Sequence, residues 1–161
     1  MARKAAMWVH GTIVKAEYAV ESMTRKGWGT HFTGRPLTNN WFHIPIPTPG
    51  IFDEMRPPLV KVFVLYRATY AMITNVHIYD GSRPVKVFDG LNLSGDHSVD
   101  IDASNSWDIK PPLEITFGLG VSVSVEFLLQ GPDSAGLPEI LFTTAGADFH
   151  RPQDTGCTQR G

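Results

Sequence analysis

LEITFGLGVSVSVEFLL, residues Leu113 to Leu129, places Leu113, Ile115, Phe117, Leu119, Val121, Val123, Val125, Phe127 and Leu129 at every second position. Successive side chains on a strand point to opposite faces, so this alternation marks one apolar face. It excludes a helix, whose apolar stripe follows a 3.6-residue period. Seventeen extended residues would span roughly 55 Å at about 3.3 Å each, more than an ordinary strand. Gly118 and Gly120 mark the place for a bend or bulge. The reading is a long bent strand serving both layers of a sandwich. The even positions Gly118, Gly120, Ser122 and Ser124 form a small, uncharged face, whereas a freely solvated face carries more charge. Either a second layer or a second subunit covers it, and these four residues are the interface candidates for a homo-oligomer.

Working outward, Pro58 to Ala68, PLVKVFVLYRA, is apolar on both parities and suits a central strand with both faces covered. TNVHIYDG follows, with Val76 and Ile78 on one face and Asn75, His77 and Tyr79 on the other. The two segments read as a hairpin turning near Tyr70 and Ala71. Further strands are expected at Met7–Ala16, Trp28–Thr33, Asn40–Ile46, Pro84–Asp89, Ser98–Asp102 and Glu139–Thr144. The proline-rich stretch between Pro45 and Pro58 is a surface connection or edge. Helix-period signals are scarce, and Ala16 to Lys26 reads as a strand end followed by a loop. The expected fold is all-β: a two-sheet antiparallel β-sandwich, jelly-roll-like, with about nine or ten strands, and a closed β-barrel as the alternative. Residues 1–149 form one domain and 150–161 a flexible polar tail.

The totals agree with an ordinary folded domain: 161 residues, 42% hydrophobic and 19% charged. A formal net charge of -2 without a long basic run argues against nucleic-acid binding. The single cysteine, Cys157, allows no intrachain disulfide and no thiolate metal cluster. Arg3 and Lys4 precede an apolar patch that His10 and Gly11 interrupt before a signal-peptide core develops, and no run approaches a membrane span. No membrane association and a cytoplasmic location are the default expectations.

Aromatic and imidazole side chains recur at spacing two, on faces opposite the aliphatic ones: Trp8 with His10, Trp41 with His43, His77 with Tyr79. If their strands are neighbours, the pairs form a patch suited to a sugar or small ligand, because an aromatic ring offers a flat apolar face and polar groups orient hydroxyls. Their structural alternative is packing under loops, with polar tips hydrogen-bonded. A metal centre lacks H-x-H, H-E-x-x-H and cupin-type spacings. Asp96, Asp100 and Asp102 share strand parity and are calcium candidates at a sandwich rim, against a solvated strand face as the plainer reading. Otherwise no cofactor is expected. Asp96 beside His97 suggests an oriented general base, but adjacent strand residues diverge and could cooperate only in a loop. No G-x-S-x-G elbow exists, and the glycines complete no dinucleotide or phosphate motif.

WVHGT from Trp8, GWGT from Gly27, NWFHIPIPTP from Asn40, HIYDG from His77 and GLNLSGDHS from Gly90 resemble a family of uncharacterised bacterial all-β proteins. The resemblance spans Trp8 to Phe149 and carries over no activity or site residue. Three functions are therefore open. The first is a non-catalytic binding or interaction module for carbohydrate or protein. The second is a small hydrolase, isomerase or cyclase drawing on His10, His43, His77 and Asp96. The third is a structural assembly protein.

Overall fold

The computed structural model describes residues 4–51 and 55–150. Among them eleven strands make one antiparallel sheet: β1 (Lys4–His10), β2 (Lys15–Ala16), β3 (Ser22–Lys26), β4 (Gly29–Thr33), β5 (Thr38–Ile46), β6 (Leu59–Asp80), β7 (Arg83–Phe88), β8 (Leu93–His97), β9 (Ser106–Leu113), β10 (Leu119–Phe127) and β11 (Glu139–His150). The path runs β2-β5-β10-β6-β11-β4-β3, with β1 beside β11 and with β7, β8 and β9 beside β6. A single 3-10 turn, Gly11–Ile13, interrupts the strands.

The long bent strand exists, but it is β6. Its residues from Leu59 to Thr69 pair with β11, and those from Ala71 to Asp80 pair with β10. Tyr70, at φ 48°, bends the chain between the two halves without reversing it, so the expected hairpin is not formed. Inward-facing residues change parity along the strand: Val62, Val64, Tyr66 and Ala68, then Ala71 and Ile73, then Val76 and Ile78. The second change sits at the bulge opposite Ser124 and Val125. An extra residue there keeps apolar side chains inward while the strand curls.

The run from Leu113 to Leu129 is correspondingly divided. Leu113 ends β9 and Leu119 begins β10; Gly118 takes φ 136° and Phe117 is 81% exposed. The turn between them is held by Asp80, which is 2% exposed and accepts N–H bonds from Thr116, Phe117 and Gly118 at 3.0, 2.7 and 3.3 Å. Period two was right for Leu119 to Phe127, whose odd positions are all buried. It also counted residues of the preceding strand and turn, which share the parity without sharing the strand.

Instead of two separate sheets, the sheet is a continuous, strongly curled half-barrel; among the described residues no ladder joins its ends at β2 and β3. Curling lays β4 and β11 over β5, so Phe32, Phe42 and Phe142 meet with ring centroids 4.8 to 6.2 Å apart. Such aromatic pairs each add about 0.5–1.5 kcal/mol beyond area burial. Met7–Ala16 is likewise not one strand. Gly11 breaks it, sending β1 to β11 and β2 to β5.

Ser98–Asp102, expected as a strand, is a loop organised by Asn105, which is fully buried. Its amide donates to the carbonyls of His97 and Asp100 and accepts the N–H of Asp102. With four polar contacts available to one side chain, the loop satisfies its backbone without a neighbouring strand. His150 closes β11, and the remainder of the expected tail lies outside the described residues.

Candidate functional site

β5 and β6 flank β10, and their registers stack the predicted residues in rows. Pro45 and Tyr79 stand either side of Gly120, His43 and His77 either side of Ser122, and Trp41 and Asn75 either side of Ser124. Small residues on the middle strand leave room for large ones to lean inward. The Trp41 and His77 rings meet at 4.8 Å between centroids, and Ser122 and Ser124 are only 8% and 4% exposed. The small-residue face is thus covered by the chain's own side chains, and its composition needs no second subunit to explain it. Gly118 stands outside it, at the turn before β10.

Two imidazoles are each fixed by a carboxylate. His43 contacts Ser122 Oγ through Nδ1 and Glu17 Oε2 through Nε2, both at 2.8 Å. A carboxylate only accepts, so Nε2 carries the hydrogen; in the neutral ring Nδ1 then accepts the Ser122 hydroxyl proton. Across β10, His77 Nε2 donates to Asp89 Oδ1 at 2.7 Å, and Asn75 Nδ2 donates to the same oxygen at 2.7 Å. These bonds, that from Asn75 foremost, hold the Asp89 carboxyl below its ordinary range.

Glu17 reaches His43 because Asn40, 3% exposed, clamps the adjoining segment. Its side chain accepts the N–H of Tyr18 and donates to the Tyr18 carbonyl, while Glu17 N–H donates to the Trp41 carbonyl. A cleft of ≈ 860 Å³ opens beside this network. Tyr79 forms one wall, Lys15 and Glu17 the opposite one, and Trp41 one end; Gly120 and Ser122 lie on its floor. Its volume falls within the range of small-ligand sites.

Four of the six aromatic and histidine candidates therefore converge: Trp41, His43, His77 and Tyr79. Trp8 and His10 do not join them, because β1 pairs with β11. Trp8, 42% exposed, stacks on Phe63 at 5.1 Å over Gly146, where a Cβ would meet its ring at 2.5 Å. His10 Nδ1 accepts the N–H of Thr12. Lys15, Glu17 and Asp89 were not singled out by the sequence. Glu17 is 26 residues from His43, and a strand pattern gives no signal for such a pair.

The acidic segment is tied up locally. Asp96 accepts from the Ser98 N–H and hydroxyl, and Asp102 accepts from the Ser104 N–H and pairs with His97 Nδ1 at 2.7 Å. That last bond comes first in raising the His97 pKa and in lowering that of Asp102. Histidine 97 is thus oriented by Asp102, not by Asp96. Asp100 contributes its carbonyl to Asn105. Among the described residues no group of three or more His, Cys, Asp or Glu is arranged to hold a metal ion.

The sequence matches the model of a family of unknown function, DUF6623, over residues 1–150. The chain belongs to that family. No curated protein matches this DUF6623 chain. Among solved structures, the DUF6623 chain is similar to CBM29_1, a family 29 carbohydrate-binding module from Piromyces equi, at 10% identity over 91% of this chain and 90% of that one, with a TM-score of 0.43.

Proposed function

We propose that the protein is a non-catalytic binding module, sandwich-like in its curled sheet, that holds a carbohydrate in the cleft on the outer face of β5, β10 and β6. The observation that carries this reading is the convergence of two half-buried aromatic rings, Trp41 and Tyr79, with the Glu17–His43–Ser122 chain around one cleft. An aromatic ring stacks on the apolar face of a sugar, and a carboxylate already held in place by His43 accepts from its hydroxyls with little further loss of rotamer freedom on binding.

The same chain invites a hydrolase reading, with Ser122 as nucleophile and His43 as base. Acyl transfer also needs N–H donors aimed at a developing oxyanion. β10 is laddered on both sides, to β5 and to β6, so its N–H groups around Ser122 are already used. Recognition is the better match to this geometry.

Gly120 supplies a clean test. A Cβ there meets nothing closer than Tyr79 Cβ at 3.7 Å, ordinary contact, so Gly120→Val fits the strand while its branches fill the cleft. In a glycan-array screen followed by calorimetry, Gly120→Val and Trp41→Ala are each expected to weaken binding about thirtyfold or more while remaining folded by circular dichroism. Trp28→Ala, at a tryptophan 58% exposed beyond the cleft lining, should bind as wild type. Wild-type affinity in both cleft variants, or no glycan bound at all, would overturn the proposal.

A further inference from the structure

We infer that the cleft takes a run of about three linked neutral hexose rings, not a single sugar and not an anionic chain. This rests on the carbohydrate reading above and specifies its ligand.

Size is the first argument. From Tyr79 on β6 to Lys15 on β2 the cleft crosses β10 and β5, three inter-strand spacings or roughly 14 Å. Along the strands, Pro45 to Trp41 covers about 13 Å. The open cleft's ≈ 860 Å³ lies near the top of the roughly 300–1,000 Å³ range for small-ligand sites. A single ring would leave most of that space to water.

The second argument is where the two aromatic planes lie. Tyr79 stands opposite Gly120 on one flank of β10, and Trp41 stands opposite Ser124 on the other. One pyranose can stack on one of them. Using both, with His43 and Ser122 between, requires successive rings of one chain.

Charge is the third. Among the described residues Lys15 is the single cation lining the cleft, against Glu17 on the same wall, with Asp89 behind His77. A chain bearing a carboxylate on every sugar would meet one ammonium and, on the same wall, one carboxylate already bonded to an imidazole. Nothing in that arrangement favours a polyanion over a neutral chain.

The test titrates wild-type protein with cello-, malto-, manno- and xylo-oligosaccharides, from monosaccharide to hexasaccharide, alongside an oligogalacturonate ladder. At least one neutral ladder should bind. Its affinity should rise about tenfold or more from monosaccharide to trisaccharide and then level off, and Gly120→Val should remove that gain. A monosaccharide binding as tightly as its trisaccharide, affinity still climbing steeply at the hexasaccharide, or tightest binding to oligogalacturonate would overturn this inference and leave carbohydrate recognition standing. Failure of every ladder to bind would remove the carbohydrate reading, and this inference with it.

Discussion

Replacing Gly11 by alanine is expected to destabilise the protein by about 3 kcal/mol or more, read as a lowered urea midpoint. On one side β11 pairs with β6 throughout. On the other it pairs with β4 as far as Phe142 and with β1 from Thr144 onward. Thr143 is the extra residue where the register shifts, and the Phe142 carbonyl projects into the gap between β4 and β1. Gly11 and Gly29 close that gap. A Cβ on Gly11 would lie 2.0 Å from Phe142 O, and one on Gly29 2.1 Å from it, with Gly29 also at φ 148°. The carbonyl cannot retreat, because its strand is laddered on both sides. Gly11 is buried, and its own carbonyl accepts the Thr30 hydroxyl at 3.0 Å. A loss of this size is a large fraction of the roughly 5–15 kcal/mol that stabilises an ordinary domain. Gly27→Ala, where a Cβ meets nothing within 4 Å, is the matched control and should change stability by no more than about 0.5 kcal/mol. Equal midpoints for Gly11→Ala and wild type would show that the bulge gives way easily.

Asp80→Ala is expected to cost about 3–5 kcal/mol at neutral pH, because three N–H groups lose a buried charged acceptor together. Burial alone would raise the Asp80 pKa. The N–H bonds from Phe117, Thr116 and Gly118 outweigh it and, with Arg83 nearby, leave the carboxyl below its ordinary value of 3.8. A depressed carboxyl contributes stability above its unfolded pKa and loses it as pH falls through the folded value. Wild-type stability should therefore decline below pH about 4, and Asp80→Asn should flatten that acid limb. Unchanged acid dependence in Asp80→Asn would place the titrating group elsewhere. Because Asp80 sets where β10 begins, its loss should also disturb Gly120 and Ser122 on the cleft floor.

The strand class and part of the cleft lining, Trp41, His43, Tyr79, Gly120 and Ser122, were legible for a single reason: period two assigns residues to faces. It put Trp41 and His43 together, His77 and Tyr79 together, and Ser122 and Ser124 on a face of their own. It could not say that β10 lies between β5 and β6, since pairing partners are set by the curl of the whole sheet. The small face therefore read as one that a second layer or a second subunit must cover, and the aromatic pairs of the flanking strands lean over it. Turns were the other blind spot. Tyr70 bends a strand with a residue that favours extended structure, whereas the turn from Glu114 to Gly118 separates two strands inside an unbroken alternation. Trp8 and Trp41 looked equivalent in sequence and differ because β1 pairs with β11 whereas β5 pairs with β10. Glu17 and Asp89 became visible only once folding brought each to its histidine.

The most direct test of the central claim is to follow amide and indole NMR signals of the wild-type protein during titration with the tightest-binding neutral oligosaccharide. The account predicts saturable shifts at Gly120, Ser122, His43 and the Trp41 indole, with the Trp8 and Trp28 indoles unmoved. Shifts centred on Trp8 and Gly146, or on Trp28, while Gly120 and Ser122 stay silent, would contradict it.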